Sequence, residues 1–251
     1  MAATSNPFAQ CSNLYATARP PYPPELFAWL AQHSPARDAA WDGATGTGQA
    51  AMGLADHFTR IEATDVSAEQ LAEAPFHPNI RYSQQPSEAT DFAPESFDLV
   101  VTAQALHWFQ HRDYWREVTR VSRPGALFAA WGYSWFEASE ELEHLLLAPY
   151  QQLLLPFWAP QNRLLWEGYP LEAILFPFQP LDAPDFTIEL HWTLPQLLHY
   201  LQTWSAYRNS RVDRAVSTEI ERLFATATQS FGETERLSLR LPLRLIAGLV
   251  R

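Results

Sequence analysis

No lysine occurs in the 251-residue sequence; all 17 basic side chains are arginine. Chemistry that needs a lysine amine is therefore excluded: Schiff-base catalysis, a lysine-closed phosphate loop, and the Tyr-x-x-x-Lys pair of some oxidoreductases. Cysteine is nearly absent too. Cys11 stands alone, which leaves no internal disulfide and no thiolate zinc site, and no metal ligand set is expected elsewhere. Basic residues are outnumbered by 28 acidic ones, for a net charge of −11. That balance argues against nucleic acid or an anionic membrane as the main partner, since phosphates are bound by clustered cations. Long apolar runs are also missing. Stretches such as Leu145-Leu146-Leu147-Ala148 are far too short to cross a bilayer, and Met1 to Phe8 carry neither the basic nor the apolar part of a secretory signal. A cytoplasmic protein is the expectation; the oligomeric state is not indicated.

What is present describes an ordinary globular chain, 47% hydrophobic and 18% charged, long enough to bury a sizeable core. Four regions differ in pattern. Residues 1–37 hold Tyr15-x-x-x-Arg19-Pro20-Pro21-Tyr22-Pro23, whose prolines enforce an extended lead-in. Over residues 38–133, short apolar runs alternate with helix-like segments at βαβ spacing, which predicts a parallel sheet. Strands are expected at 39–41, 61–64, 80–82, 97–103 and 126–131. Helices are expected at 49–58, after a Ser67 cap, and at 112–121, the last stopped by Arg123-Pro124-Gly125. Residues 134–184 are rich in Trp, Phe, Leu and Pro, with a helix at 140–155. Residues 185–251 resume a strand at 185–191, a helix at 195–207 and a closing strand at 237–250.

The chemistry concentrates where the first strand ends. Asp42-Gly43-Ala44-Thr45-Gly46-Thr47-Gly48 forms a glycine turn between strand and helix, and Gly46 and Gly48 let backbone approach a ligand closely. Asp65 ends the second strand, where a carboxylate can accept both hydroxyls of a ribose. Gly46-x-Gly48-x-x-Ala51 also fits the fingerprint of nicotinamide or flavin enzymes. Asp42 points elsewhere: an anion there repels a pyrophosphate but can hold the cationic amino acid end of S-adenosylmethionine. No recognisable hydride-transfer site follows.

The chain resembles the class I S-adenosylmethionine-dependent methyltransferases, in the type 11 branch that includes trans-aconitate methyltransferase-like proteins. The resemblance covers residues 15 to about 133. It rests on Tyr15-x-x-x-Arg19-Pro20-x-Tyr22-Pro23, Trp41-Asp42-x-x-x-Gly46-x-Gly48-Gln49-Ala50-Ala51, Ala63-Thr64-Asp65-x-Ser67 and Pro86-Ser87-Glu88. Phe97-Asp98-Leu99-Val100, Ala103-Gln104-Ala105-Leu106-His107-Trp108-Phe109 and Glu117-Val118-x-Arg120-Val121-x-Arg123-Pro124-Gly125 complete it. It implies a Rossmann-like α/β fold, a seven-stranded sheet with the last strand antiparallel; the aromatic-rich segment 134–184 then reads as a helical insertion after the fifth strand. It further implies S-adenosylmethionine held by Asp42, Ala44, Gly46, Thr47, Gly48 and Gln49 at the methionine end and by Asp65 and Val66 at the ribose. Ser87 and Glu88 would lie beside the adenine, Gln104 near the sulfonium, and Tyr15 and Arg19 in an N-terminal lid. The family's usual glycine is replaced by Ala44, whose methyl group removes φ freedom and narrows the turn.

Methyl transfer from a sulfonium needs alignment more than activation. His107, after the fourth strand, is the candidate general base, or else a packing histidine beside Trp108. The segment 134–184 is expected to cover the site of a small-molecule acceptor, with Trp135, Trp158, Trp166 and Tyr169 either lining it or forming a core of their own. Two other functions stay open at this point: a nicotinamide-dependent oxidoreductase, and a non-catalytic cofactor-binding protein.

Overall fold

The computed structural model describes residues 19–251. β1 (Ala39–Gly43), buried along its whole length, is central to a seven-stranded sheet. β2 (Arg60–Asp65) and β3 (Ile80–Gln84) extend it in parallel on one side, and β4 (Phe97–Ala103) and β5 (Ser122–Gly132) on the other. Two-residue β6 (Gln179–Pro180) and β9 (Arg244–Leu249) complete it in the order β3-β2-β1-β4-β5-β9-β6, with β9 antiparallel to both neighbours. The α/β sheet with an antiparallel final strand is thus the one the resemblance implies. Its inner strands read as apolar runs because helices cover both faces of a parallel sheet. Asp98 is the exception within β4: it accepts the Asp38 and Ala39 amides at 3.0 Å each, and an Arg123 N–H at 2.7 Å, tying the start of β1 to β4.

The helices connecting these strands are α1 (Pro24–His33), α2 (Gln49–Leu54), α3 (Ala68–Ala72) and α4 (His111–Val121). The segment after β5 carries α5 (Glu140–Leu142), a π-type turn Glu143–Leu147, α6 (Ala148–Leu154) and α7 (Asn162–Trp166). A separate ribbon pairs β7 (Thr187–Thr193) with β8 (Arg236–Pro242), and between them run α8 (Leu194–Gln202), α9 (Ser205–Ser210) and α10 (Arg214–Phe231). One apolar cluster packs Trp41, Tyr114, Trp115 and Phe128 on one face of the sheet. The other joins α1, Ile61, Val101 and Trp131 to Leu146, Tyr150, Leu197 and Ile220 from the later helices.

Several expectations are corrected. Regular helix after the glycine turn ends at Leu54 rather than 58, the chain curling on through His57 and Phe58 amides bonded to the Leu54 carbonyl. β5 starts at Ser122 rather than 126, with Gly125 absorbing a bend at φ +77°. The helix expected at 195–207 breaks at Thr203-Trp204. The closing strand divides at Leu243, its first half leaving the main sheet to pair with β7. α10 has no counterpart in the sequence expectation. Among the described residues no helix is long and apolar enough to cross a membrane.

The strand order reverses between β1 and β4. Open α/β sheets bind ligands outside the carboxyl ends of the strands at that switch point, and both the glycine turn and the Gln104 segment emerge there.

Candidate active site

A cavity of about 640 Å³ lies at this switch point, within the range that takes a nucleotide-sized ligand. Ala44, Gly46, Thr47 and Gln49 form one wall, Asp65 and Val66 a second, Ser87 and Glu88 a third, and Gln104 and Arg19 close the far side. Ten of the expected residues therefore meet on one cavity. Val66 is left 59% exposed on that wall, apolar surface that a flat ring would cover.

Asp42, Gly48 and His107 do not line it. Asp42 is completely buried beneath the turn, where its Oδ2 accepts the Thr45 hydroxyl at 2.5 Å and the Ala51 amide at 3.0 Å. Its Oδ1 has no partner among the described residues, and burial pushes its pKa up to about 7. Gly48 opens α2 at φ +82°, and the space a side chain would take is filled by the Tyr82 hydroxyl, 2.5 Å from where its Cβ would stand. The Tyr82 contact and the backbone angle both favour glycine there. Tyr15 lies outside the described residues.

Asp65 holds the turn as well as the cavity wall. Its Oδ2 accepts the Gly46 amide and its Oδ1 the Ser67 amide, each at 2.8 Å, which leaves a lone pair on each oxygen for a ligand hydroxyl. Ala44 adopts φ +57° and Gln104 φ +59°, left-handed angles that cost a non-glycine residue on the order of 1–3 kcal/mol and recur at functional sites. Arg19 donates to the Tyr133 hydroxyl at 2.9 Å, and Gln49 Nε2 donates to the Pro20 carbonyl at 2.6 Å. The start of the described chain is thereby strapped across the cavity rim.

A second, smaller cavity of about 90 Å³ adjoins the first across Arg19, Gln104 and Trp108, which line both. His107 belongs to this one, together with Tyr133, Trp135, Trp158, Trp166 and Trp204. The four tryptophans pack edge-to-face or tilted against one another at centroid distances of 5.3 to 6.0 Å. Lining a cavity and forming a local core, the two roles weighed for Trp135, Trp158 and Trp166, are here one arrangement. Tyr169 does neither directly: it is buried under the sheet cluster and hydrogen-bonds His107 Nδ1 at 3.1 Å. Burial, with the nearby His111 second, lowers the His107 pKa to about 4.

Gln70, Gln161 and Trp204 reach the two cavities from distant elements. No sequence spacing announces Gln70 or Gln161; Trp204 could have been suspected only from the broken helix around it.

Residues 41–130 match the type 11 methyltransferase domain family. A putative methyltransferase of Dictyostelium discoideum is 24% identical over 246 residues, covering 95% of this chain and 93% of that protein. A protein of Saccharomyces cerevisiae named as a probable S-adenosylmethionine-dependent methyltransferase is also 24% identical, over 90% of both chains. The solved structure of a putative type II methyltransferase from Anaeromyxobacter dehalogenans superposes with a TM-score of 0.82, is 36% identical, and is matched over 92% of this chain and 98% of its own. With that identity over nearly the whole of a solved relative, on this sheet order, the chain belongs to the class I S-adenosylmethionine-dependent methyltransferases.

Proposed function

We propose that the larger cavity holds S-adenosylmethionine and that its methyl group passes to a small-molecule acceptor in the adjoining aromatic cavity. The observation that carries this reading is the juxtaposition of two cavities of different size, divided only by Arg19, Gln104 and Trp108. When bound, the cofactor supplies a methyl group already activated on a sulfonium, so the protein's task is alignment.

The residues fit the cofactor part by part. Asp65 retains acceptor capacity for the ribose hydroxyls, exposed Val66 offers a surface for the adenine, and Ser87 and Glu88 bound the same end. The orphaned Oδ1 of Asp42 leaves an unused hydrogen-bonding atom under the turn, on the side where the amino acid group of the cofactor would lie. Arg19 stands at the rim in this reading, and the segment 134–184 roofs the acceptor. For His107 we propose a neutral hydrogen-bonding role. A general base must hold a proton during the reaction, and burial works against that form.

Thermal shift is the test. S-adenosylhomocysteine at about 100 times its Kd should stabilise the fold by about 2.7 kcal/mol, a rise of roughly 5–10 °C for a chain of this size. NAD and NADP should leave the melting temperature unchanged, and stabilisation by them alone would sink the proposal. Asp65→Ala should weaken S-adenosylhomocysteine at least about tenfold by calorimetry, since charge-assisted hydrogen bonds are worth about 1.5–3 kcal/mol.

A further inference from the structure

The two ring nitrogens of His107 have different surroundings. Nδ1 lies 3.1 Å from the Tyr169 hydroxyl. Nε2 has no hydrogen-bond partner among the described residues and is not sealed from solvent, and His107 lines the smaller cavity. The direction of the Nδ1 bond follows from burial. Tyr169 is 1% exposed, and its hydroxyl hydrogen-bonds nothing else among the described residues. If Nδ1 donated, the hydroxyl proton would be buried without an acceptor, the costly arrangement. Burial also keeps Tyr169 protonated, raising its pKa far above the usual value, and keeps His107 neutral, lowering its pKa to about 4. The hydroxyl therefore donates and Nδ1 accepts. A neutral imidazole carries one proton, which then sits on Nε2.

We propose that Tyr169 is a positioning residue: its hydroxyl fixes the tautomer of His107, so that Nε2–H is a hydrogen-bond donor facing the smaller cavity. That the donor meets the methyl acceptor rests on the cofactor reading above; the tautomer does not. The acceptor then presents a lone pair to Nε2, and His107 takes no proton from it.

The fold holds Tyr169 in place through the end of α7. The Gly168 amide donates to the Leu165 carbonyl at 3.0 Å and the Tyr169 amide to the Leu164 carbonyl at 2.8 Å, the two bonds of a Schellman motif. Tyr169 itself stands at φ +55°, a region that bulky side chains rarely adopt and that recurs at functional sites. The same helix lines the smaller cavity with Asn162, Leu165 and Trp166. One element thus shapes the cavity and sets the proton beside it. His111 does not compete for the Tyr169 hydroxyl, because its own Nε2 donates to the Leu106 carbonyl at 3.1 Å.

The test is nitrogen-15 NMR of the histidine-labelled protein at neutral pH, reading which ring nitrogen of His107 carries the proton; a His107→Gln sample assigns the signals. The parent is expected in the Nε2–H form. Tyr169→Phe keeps the ring and removes the hydroxyl. It is expected to lower the ratio of Nε2–H to Nδ1–H forms roughly 2- to 10-fold, the worth of one net hydrogen bond, while S-adenosylhomocysteine affinity holds within about twofold. Dimethyl sulfoxide, which accepts but does not donate, is expected to shift the parent's Nε2 signal saturably, and methylammonium, which only donates, to leave it in place. The two parent measurements decide the matter if Tyr169→Phe does not fold. A parent in the Nδ1–H form, an unchanged ratio in Tyr169→Phe, or an Nε2 signal indifferent to dimethyl sulfoxide would overturn the inference. Failure of S-adenosylhomocysteine to bind would remove the cofactor reading and leave the tautomer result standing.

Discussion

Ala44 sits at φ +57° in the turn where the family pattern has glycine. An L-residue in that region costs roughly 1–2 kcal/mol, while glycine adds about 0.4–1 kcal/mol of unfolded-state entropy to be lost. The difference favours glycine. Ala44→Gly should raise the melting temperature by roughly 1–4 °C, and a melt at or below that of the parent would show the turn to be unstrained. Asp42 makes a pH-dependent prediction. Its pKa in the folded chain lies above the usual 3.8, at about 7, so the folded state keeps a proton that the unfolded chain releases. The stability this group contributes is complete below about pH 4 and is lost as pH rises towards 7. Asp42→Asn should therefore lose less melting temperature than the parent between pH 5 and 7.5, and parallel profiles would contradict the burial argument. The place of residues such as Gly46 and Asp65 on the cavity wall was legible in the sequence because it follows from local order: strand, turn, helix, strand end. Tyr82 filling the space at Gly48, and Gln70 on the cavity wall, were not, because packing between elements brings them there.

At the scale of elements, the β-strands of the first half read directly from the sequence, since a buried parallel strand is a short apolar run with little else to be. β4 matches its expected bounds of 97–103. α10 was missed although its signal exists. Val216, Ile220, Leu223 and Ala227 recur at helical spacing, and Asp213 caps the start through the Ala215 and Val216 amides at 2.9 and 3.1 Å. Its arginines, glutamates and threonines dilute the apolar stripe below what a scan for apolar runs picks out. Asp213→Ala should cost about 1 kcal/mol, lowering the melting temperature by roughly 2–4 °C without altering S-adenosylhomocysteine affinity; an unchanged melt would mean that tertiary packing alone holds the helix start. The split at Leu243 had one local warning, Pro242, which cannot donate to a strand ladder. Alternation in Arg236–Pro242 buries Leu237, Leu239 and Leu241 against the later helices, and which sheet a strand joins is decided by its partners.

At the scale of the molecule, the apolar cluster on one face of the sheet includes side chains of the helices after β5 and of α10. The segment 134–184 is therefore expected to melt with the sheet rather than ahead of it. Far-ultraviolet dichroism and tryptophan fluorescence should report one coincident transition, whereas an earlier fluorescence transition would mark the segment as an independent unit. The divide between the two cavities has a bearing on evolution. Because Arg19, Gln104 and Trp108 are the lining residues the cavities share, under the proposed assignment drift at Trp135, Trp166 or Trp204 reshapes what is accepted while the donor site is inherited unchanged. Such a partition lets a lineage explore new substrates one wall at a time, without passing through forms that have lost their cofactor.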